Sequence, residues 1–472
     1  MDRTLRSRFG MVTAGLVLAA IAAPSFADTL ADTLRRAYQL SPRLEQSRAQ
    51  LRALDEGVAQ ARAGKRPNIV ASASATQNAQ DRFDFPDDTY RTQYTGQITA
   101  ELSLYDGGQT RSAIQAAQSV VAAGRANLKT TEQDLFLDAV TAYVDVQRDQ
   151  AFVSLGRSNV MVLEQQVQAA NDRFELGEVT RTDVSLAEAR LASAQSQLVS
   201  FIGQLDISEE VFLQVVGVPP RNLAPPPALP QLPATVDAAQ AVAIRENPSL
   251  AAARFNEVAA GFNVERARGA RRLSVTLNTT SSLTNTERGG TAVNEPGRDT
   301  TLSLQAGVTA SIPLYTGGSL ESAVREAQAD LATQKFTVQD TARTVQQQTA
   351  SAWVTLEIAR AQIIANREEV RAARIAFEGV TEEAQLGART TLDVLDLEQD
   401  LRDAQVELAS SIRDEYVAAY SVLAAMGLLT LERLNLGIEG YDPDEYYDAV
   451  QDGPVFSARG RKLDQLIERL GR

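Results

Sequence analysis

LYDGGQTRSA (residues 104–113) returns 210 residues later as LYTGGSLESA (residues 314–323). Each copy closes a run of alternating apolar and polar residues and opens a long, proline-free, alanine-rich tract. In the second copy Leu302, Leu304, Ala306, Val308, Ala310, Ile312 and Leu314 alternate with Ser303, Gln305, Gly307, Thr309, Ser311 and Pro313. In the first, Ile98, Ala100, Leu102 and Leu104 alternate with Gln97, Thr99, Glu101 and Ser103. A period of two marks a strand with two unlike faces. Beyond the joint the period changes. Leu356, Ile363, Val370 and Phe377 lie seven apart with Ala359, Ala373 and Val380 between them, and Val146, Val153, Val160 and Val167 keep the same register one copy earlier. Such spacing is a coiled-coil seam. The chain thus passes from strand to coiled coil twice, and the pairs Gly107-Gly108 and Gly317-Gly318 permit the sharp turn.

The joint belongs to a longer duplication. Ser41-Pro42-Arg43-Leu44 matches Asn247-Pro248-Ser249-Leu250, and Lys65-Arg66 matches Arg271-Arg272, both at an offset of 206. After the joint the offset is 210: Ala142-Tyr143 matches Ala352-Trp353, Leu176-Gly177 matches Leu386-Gly387, Asp183 matches Asp393, and Gly217 matches Gly427. The four additional residues are expected in a loop around 284–299. A period of about 200 residues is a duplicated domain rather than a solenoid unit. The first copy is expected over 28–217, with strands at 68–80 and 92–105 and long helices at 107–176 and 180–217. The second is expected over 236–428, with strands at 273–285 and 299–315 and long helices at 317–386 and 390–428. Between them VPPRNLAPPPALPQLP opens a proline-rich linker, 218–235. A closing segment, 429–472, is rich in Asp, Tyr and Gly and ends in a short amphipathic pattern at 462–470.

Composition restricts what such a chain does. Arg3, Arg6 and Arg8, the apolar run MVTAGLVLAAIAA and the small-x-small site Ser25-Phe26-Ala27 read as a secretory signal peptide, with a mature start at Asp28. The chain has no Cys, hence no disulfide and no acylation site, and no His. Thiol and imidazole nucleophiles and His/Cys metal sites are therefore excluded. A net charge of −14 argues against nucleic acid as a partner. After the leader no run of about 18 apolar residues offers a transmembrane helix. A membrane role would need a β-barrel, the other structure that satisfies its backbone in lipid.

Four strands cannot close such a barrel, which takes at least about eight. Either the sheet is half-buried in a water-soluble domain, or several copies share one barrel. Helices of about 70 residues reach on the order of 100 Å at 1.5 Å per residue, too long for an ordinary globular core. In the shared-barrel reading Tyr105 and Tyr315 would sit at the membrane interface, where amphipathic rings belong.

The duplicated order of elements resembles the TolC family of outer-membrane efflux proteins. The resemblance rests on Asn247-Pro248 at a helix start, on the LYDGG and LYTGG joints, on RFELGEVTRTDV (173–184) and on AQLGARTTLDVLD (384–396). It covers nearly all of the mature chain. It implies a mixed α+β fold dominated by long α-helices. In a homotrimer, four strands per subunit would form a twelve-stranded outer-membrane barrel continuous with a coiled-coil α-helical periplasmic tunnel. It implies no enzymatic activity and no cofactor. The implied role is an exit channel for drugs, small molecules or proteins, with a periplasmic adaptor and an inner-membrane transporter as partners. The tips Leu176-Gly177 and Leu386-Gly387 would dock the adaptor. Asp393 and Asp396 would ring the periplasmic entrance. Arg389 would latch it closed against Thr182 and Asp183 of the neighbouring coil, in a latch that carries Ala384 where the family prototype has Tyr.

Plainer roles stand beside these. Thr180-x-x-Asp183 and Thr390-x-x-Asp393 also read as capping boxes, Asp396 as a solvated helix face, and Arg389 as a surface cation. Trp353, the only Trp, reads as helix packing, because its counterpart is Tyr143. Phe83, Phe85 and Tyr90 mark either an extracellular cap or an exposed loop. The alternative for the whole chain is a periplasmic coiled-coil adaptor or scaffold that forms no pore.

Overall fold

The computed structural model describes residues 28–80, 89–290, 297–451 and 465. The leader (1–27), Phe83, Phe85, the Tyr90 side chain and, but for Gln465, the helical pattern at 462–470 lie outside the described residues. The first copy contributes α1 (Leu30–Leu40), α2 (Pro42–Ala63), β1 (Asn68–Gln80), β2 (Thr89–Tyr105), α3 (Gln109–Glu175) and α4 (Arg181–Val216). The second contributes α5 (Val236–Glu246), α6 (Pro248–Gly269), β3 (Ser274–Gly290), β4 (Gly297–Ser311), α7 (Ser319–Gln385) and α8 (Thr391–Ala425). Two short helices, α9 (Leu431–Leu434) and α10 (Pro443–Val450), follow.

The strands form one antiparallel sheet in the order β1-β2-β3-β4. Ala75 lies opposite Tyr94, and Ser281 lies opposite Leu304, the same pair one copy later. Register is therefore conserved within the duplication, and the extra residues of the second copy fall at the far end of the β3–β4 hairpin. Opposed residues share a face. Ile98, Leu102, Leu277, Leu283, Leu302 and Val308 line one side, while Ser72, Gln97, Thr99, Thr280, Ser303 and Gln305 line the other. β4 is exposed along its whole length. It stops at Ser311, short of the expected 315, because Pro313 has no N–H to continue the ladder. In the first copy Ser103 holds that position, and β2 runs on through a register shift to Tyr105.

α3 and α7 have 67 residues each, about 100 Å of helix. α3 pairs with α4, and α7 with α8. Leu356, Ala359, Ile363 and Val380 of the expected seam are buried, as are Val146 and Val153. Around the middle of these rods the short helices wrap a belt that holds the main core, including Tyr38, Phe136, Tyr143, Leu356, Val422 and Met426. Trp353 packs against this belt and donates to Glu357 at 2.9 Å. The segment after Gly427 closes the belt: Glu132 accepts from the Leu431 N–H, Tyr446 donates to Glu56 at 2.9 Å, and the Tyr441 N–H donates to the Tyr38 hydroxyl at 3.0 Å. A charged chain ties three rods together, with Arg413 of α8 on Asp145 of α3, Arg148 on Asp145 and Asp149, and Asp149 accepting from Ser208 of α4. No helix among the described residues is long and apolar enough to cross a membrane.

Equivalent helix ends dock on equivalent corners. The α1–α2 corner is capped by Ser41 and the α5–α6 corner by Asn247, each followed by Pro at the first helical position. Gly217 and Gly427 end α4 and α8 in the left-handed region, at φ +85° and +79°. A Cβ on Gly427 would stand 2.7 Å from the Asn247 Cα and the Glu246 carbonyl, both backbone, whereas on Gly217 it would meet the Leu40 side chain at 3.1 Å. Gly427→Ala is expected to cost about 3 kcal/mol or more, strain plus an immovable clash, and Gly217→Ala only about 1–2 kcal/mol. Thermal unfolding of the detergent-extracted variants checks the order; equal losses would contradict it.

Candidate functional site

The ends of the two helical hairpins are built alike. After α3, the Gly177 N–H donates to the Phe174 carbonyl at 3.0 Å and the Glu178 N–H to the Arg173 carbonyl at 2.9 Å. After α7, Gly387 donates to Ala384 at 3.1 Å and Ala388 to Glu383 at 2.9 Å. These are glycine-terminated turns, and both glycines sit at φ +76°. Leu176 and Leu386 project from the tips as exposed apolar side chains. Thr180 and Thr390 then start α4 and α8 as reciprocal capping boxes: Asp183 and Asp393 accept from the threonine N–H at 2.9 and 3.0 Å and from its hydroxyl at 2.8 Å. Those hydrogen bonds to the charged form hold both carboxyls below their ordinary range.

The other residues expected at the entrance diverge. Within one chain Arg389 donates to Glu383 of its own turn at 2.9 Å and does not reach Thr182 or Asp183. Asp396 does not stand free beside Asp393: Arg190 of α4 pairs with it at 2.7 Å and with the Gln399 amide oxygen at 2.8 Å. This bond crosses from one hairpin to the other. Beside it Glu398 is buried between α8 and α3. With its amide oriented so that both atoms are satisfied, Asn159 donates to Glu398 Oε1 at 2.8 Å and accepts from Arg402 at 2.8 Å.

Neither Arg190 nor Glu398 was among the residues expected from sequence. The heptad pattern follows each hairpin's own seam, whereas these residues lie where one hairpin packs on the other. The repeat held a signal: Arg190 corresponds to Asp400 and Asn159 to Glu369, so the pairing has no equivalent in the other copy.

At the opposite end of the rods the two joints place Tyr105 at the close of β2 and Tyr315 beyond the end of β4, with all four glycines at positive φ. Asp106 fixes the first turn by accepting from the N–H groups of Gly108, at 3.0 Å, and Thr110, at 2.5 Å.

Comparison with known proteins accords with this geometry. The outer membrane efflux protein family matches residues 33–218 and 240–428, one match to each copy. The chain is 37% identical over 442 residues to the outer membrane efflux protein BepC of Brucella suis, covering 94% of both chains. It is 24% identical to the outer membrane protein TolC of Escherichia coli, over 89% of this chain and 86% of that one. The fold superposes on the solved outer membrane protein VceC of Vibrio cholerae with a TM-score of 0.70 at 22% identity, over 84% of this chain and 96% of that chain. The chain belongs to the outer membrane efflux protein family and is an exit channel of the outer membrane that extends into the periplasm.

Proposed function

We propose that three copies close one twelve-stranded barrel and its helical tunnel. This duct is docked at its helical tips by a periplasmic adaptor and energised by an inner-membrane transporter. The observation that carries the assembly is the unequal cover of two equal copies. β2 is paired on both sides, but β1 and β4 each keep one edge unpaired within the chain. α2 and α6 both pack along α3, whereas among the described residues α7 has α6 along it but no counterpart of the packing that α6 gives α3. Arg272 donates to the Gly107 carbonyl at 3.1 Å, and a Cβ on Gly107 would stand 2.3 Å from the Gly269 carbonyl, while Gly317 has nothing within 4 Å. Val144 is 3% exposed and its counterpart Val354 50%; Ala126 is 7% exposed and its counterpart Phe336 68%.

What the second copy gives the first inside the chain, the first copy offers the second of a neighbouring molecule. Such a head-to-tail surface repeats until the ring closes. Two molecules would give eight strands, whose interior side chains fill; three is the smallest ring with an open lumen. The apolar sheet face then meets lipid and the polar face lines water. A scaffold that never enters a membrane leaves that two-faced sheet without a use.

Register supplies the test. Ile98 lies opposite Ser281 within the chain, so the duplication sets Val308 opposite Ala75 across the subunit boundary. Because the chain has no native Cys, oxidised Ala75→Cys/Val308→Cys protein is expected to run as a covalent trimer in denaturing gels. Only intramolecular product or monomer would sink the ring.

Among the described residues no group of three or more carboxylates within one chain is placed to hold a metal ion, so a cation-binding ring needs Asp393 and Asp396 from several copies. Asp393→Asn/Asp396→Asn is expected to abolish divalent block of the conductance in planar bilayers. Arg190→Gln, by freeing Asp396, is expected to strengthen the block while changing stability by less than about 1 kcal/mol, since the pair is solvent-exposed. Unaltered block in the double variant would remove both aspartates from the pore.

A further inference from the structure

We infer that the rim where the first copy passes from helix to sheet binds the phosphate headgroup of an anionic lipid in the periplasmic leaflet, an inference that rests on reading the sheet as part of a shared membrane barrel. The residues that carry it are Lys65, Arg66 and Arg111, and the duplication supplies the argument. In the second copy Arg271, just after α6, pairs at 3.5 Å with Glu321 in the first turn of α7. At the equivalent positions the first copy has Lys65, just after α2, and Arg111, in the first turn of α3. Both are exposed, and neither has a hydrogen bond or ion pair among the described residues. The two segments meet: a Cβ on Gly64 would stand 3.1 Å from the Thr110 hydroxyl oxygen. Two cations thus occupy the places of an ion pair, an unfavourable arrangement until an anion lies between them. Arg66, beside Lys65, is likewise without a partner among the described residues.

The carboxylates nearby are already committed. Asp106 accepts from the N–H groups of Gly108 and Thr110, Glu265 holds Arg268 at 2.7 Å, and Glu321 holds Arg271. Position then decides which anion is bound. Lys65 and Arg66 come just before β1, whose apolar face opens at Ile69, 65% exposed. Arg62, one turn before Arg66, donates to the backbone and side-chain oxygens of Gln451, both at 3.0 Å. Gln451 ends α10, part of the belt that wraps the rods from outside, so this face of α2 looks away from the lumen. The chain stays wound to Arg66, whose N–H donates to the Ala63 carbonyl at 2.9 Å. Cations on the outer side, a few residues from the apolar band, stand at the level of lipid headgroups. A phosphodiester offers Lys65 and Arg111 one charged acceptor oxygen each.

The test is native mass spectrometry of the full mature chain in detergent with phosphatidylglycerol added, and phosphatidylcholine in parallel. One phosphatidylglycerol per subunit is expected to be retained, with a preference of roughly tenfold over phosphatidylcholine. Arg111→Glu rebuilds the ion pair of the second copy, so that variant should fold and bind the lipid roughly tenfold or more weakly. Glu321→Arg does the converse and should add a second lipid per subunit. Equal retention of the two lipids, displacement by inorganic phosphate at the same concentration, undiminished binding by Arg111→Glu, or no added lipid on Glu321→Arg overturns the proposal. The same spectra report the oligomer: selective retention by a chain that stays monomeric would strike at the shared barrel and leave the headgroup site standing.

Discussion

An unpaired backbone edge is intolerable in lipid, and the organisation of this chain follows from that. A four-stranded sheet has two edges, and hydrocarbon offers neither of them a partner. Extending one chain to eight or more strands is one remedy. In the proposed assembly the same surface would instead serve inside the molecule and between molecules. The β2–β3 ladder joins strands separated by four helices, so sheet continuity does not depend on a hairpin there. A ladder that forms without a connecting turn can also form between separate chains. The polar sheet face, rich in Ser, Thr and Gln through its middle, is a poor core for a water-soluble domain and a suitable wall for a wet lumen.

The helices face a related difficulty. A rod of 67 residues has no globular core to rest on, and a narrow heptad stripe leaves most of its circumference uncommitted. The belt at mid-height solves this locally, concentrating the large buried side chains where α1, α2, α5 and α6 surround the rods. Towards the tips the buried apolar contacts shrink to a small cluster of Leu163, Ala170, Val184, Ala187, Ala194 and Leu395. Rods secured at the middle and lightly held at the tips suit the gated entrance proposed for the duct. The exposed caps at Thr180 and Thr390 keep each tip folded without binding it to its neighbour.

Much of this was legible in the sequence because it is periodic. The alternation of residues 302–314 places the strand, the sevenfold spacing from Leu356 places the seam, and the recurrence of Leu-Tyr-x-Gly-Gly places the joint. Strand ends were less legible. β3 runs on to Gly290, past the expected 285, because β4 is there to pair with it, and β4 stops early at Pro313's ladder position. α10 was missed, although Asp442-Pro443 is a recognisable cap and first-turn pair. The contacts of Asp396 and the burial of Glu398 were not legible at all. They depend on how one hairpin is rotated against the other, which no single-helix period encodes.

The departures from the repeat explain where a duplicated chain does its work. Duplication alone would give a ring of six equal hairpins, all opening or none. Asp183 and Asp393 preserve the symmetric cap, but Arg389, Asp396 and Glu398 face Val179, Leu186 and an exposed Glu188 across the repeat. Charge that can be latched, bridged or buried is thus concentrated on α7–α8, and the matching Arg190 and Asn159 are supplied by α3–α4. In the proposed ring of three such pairs, one hairpin of each pair would be held and the other would hold it, a division that six identical hairpins would lack.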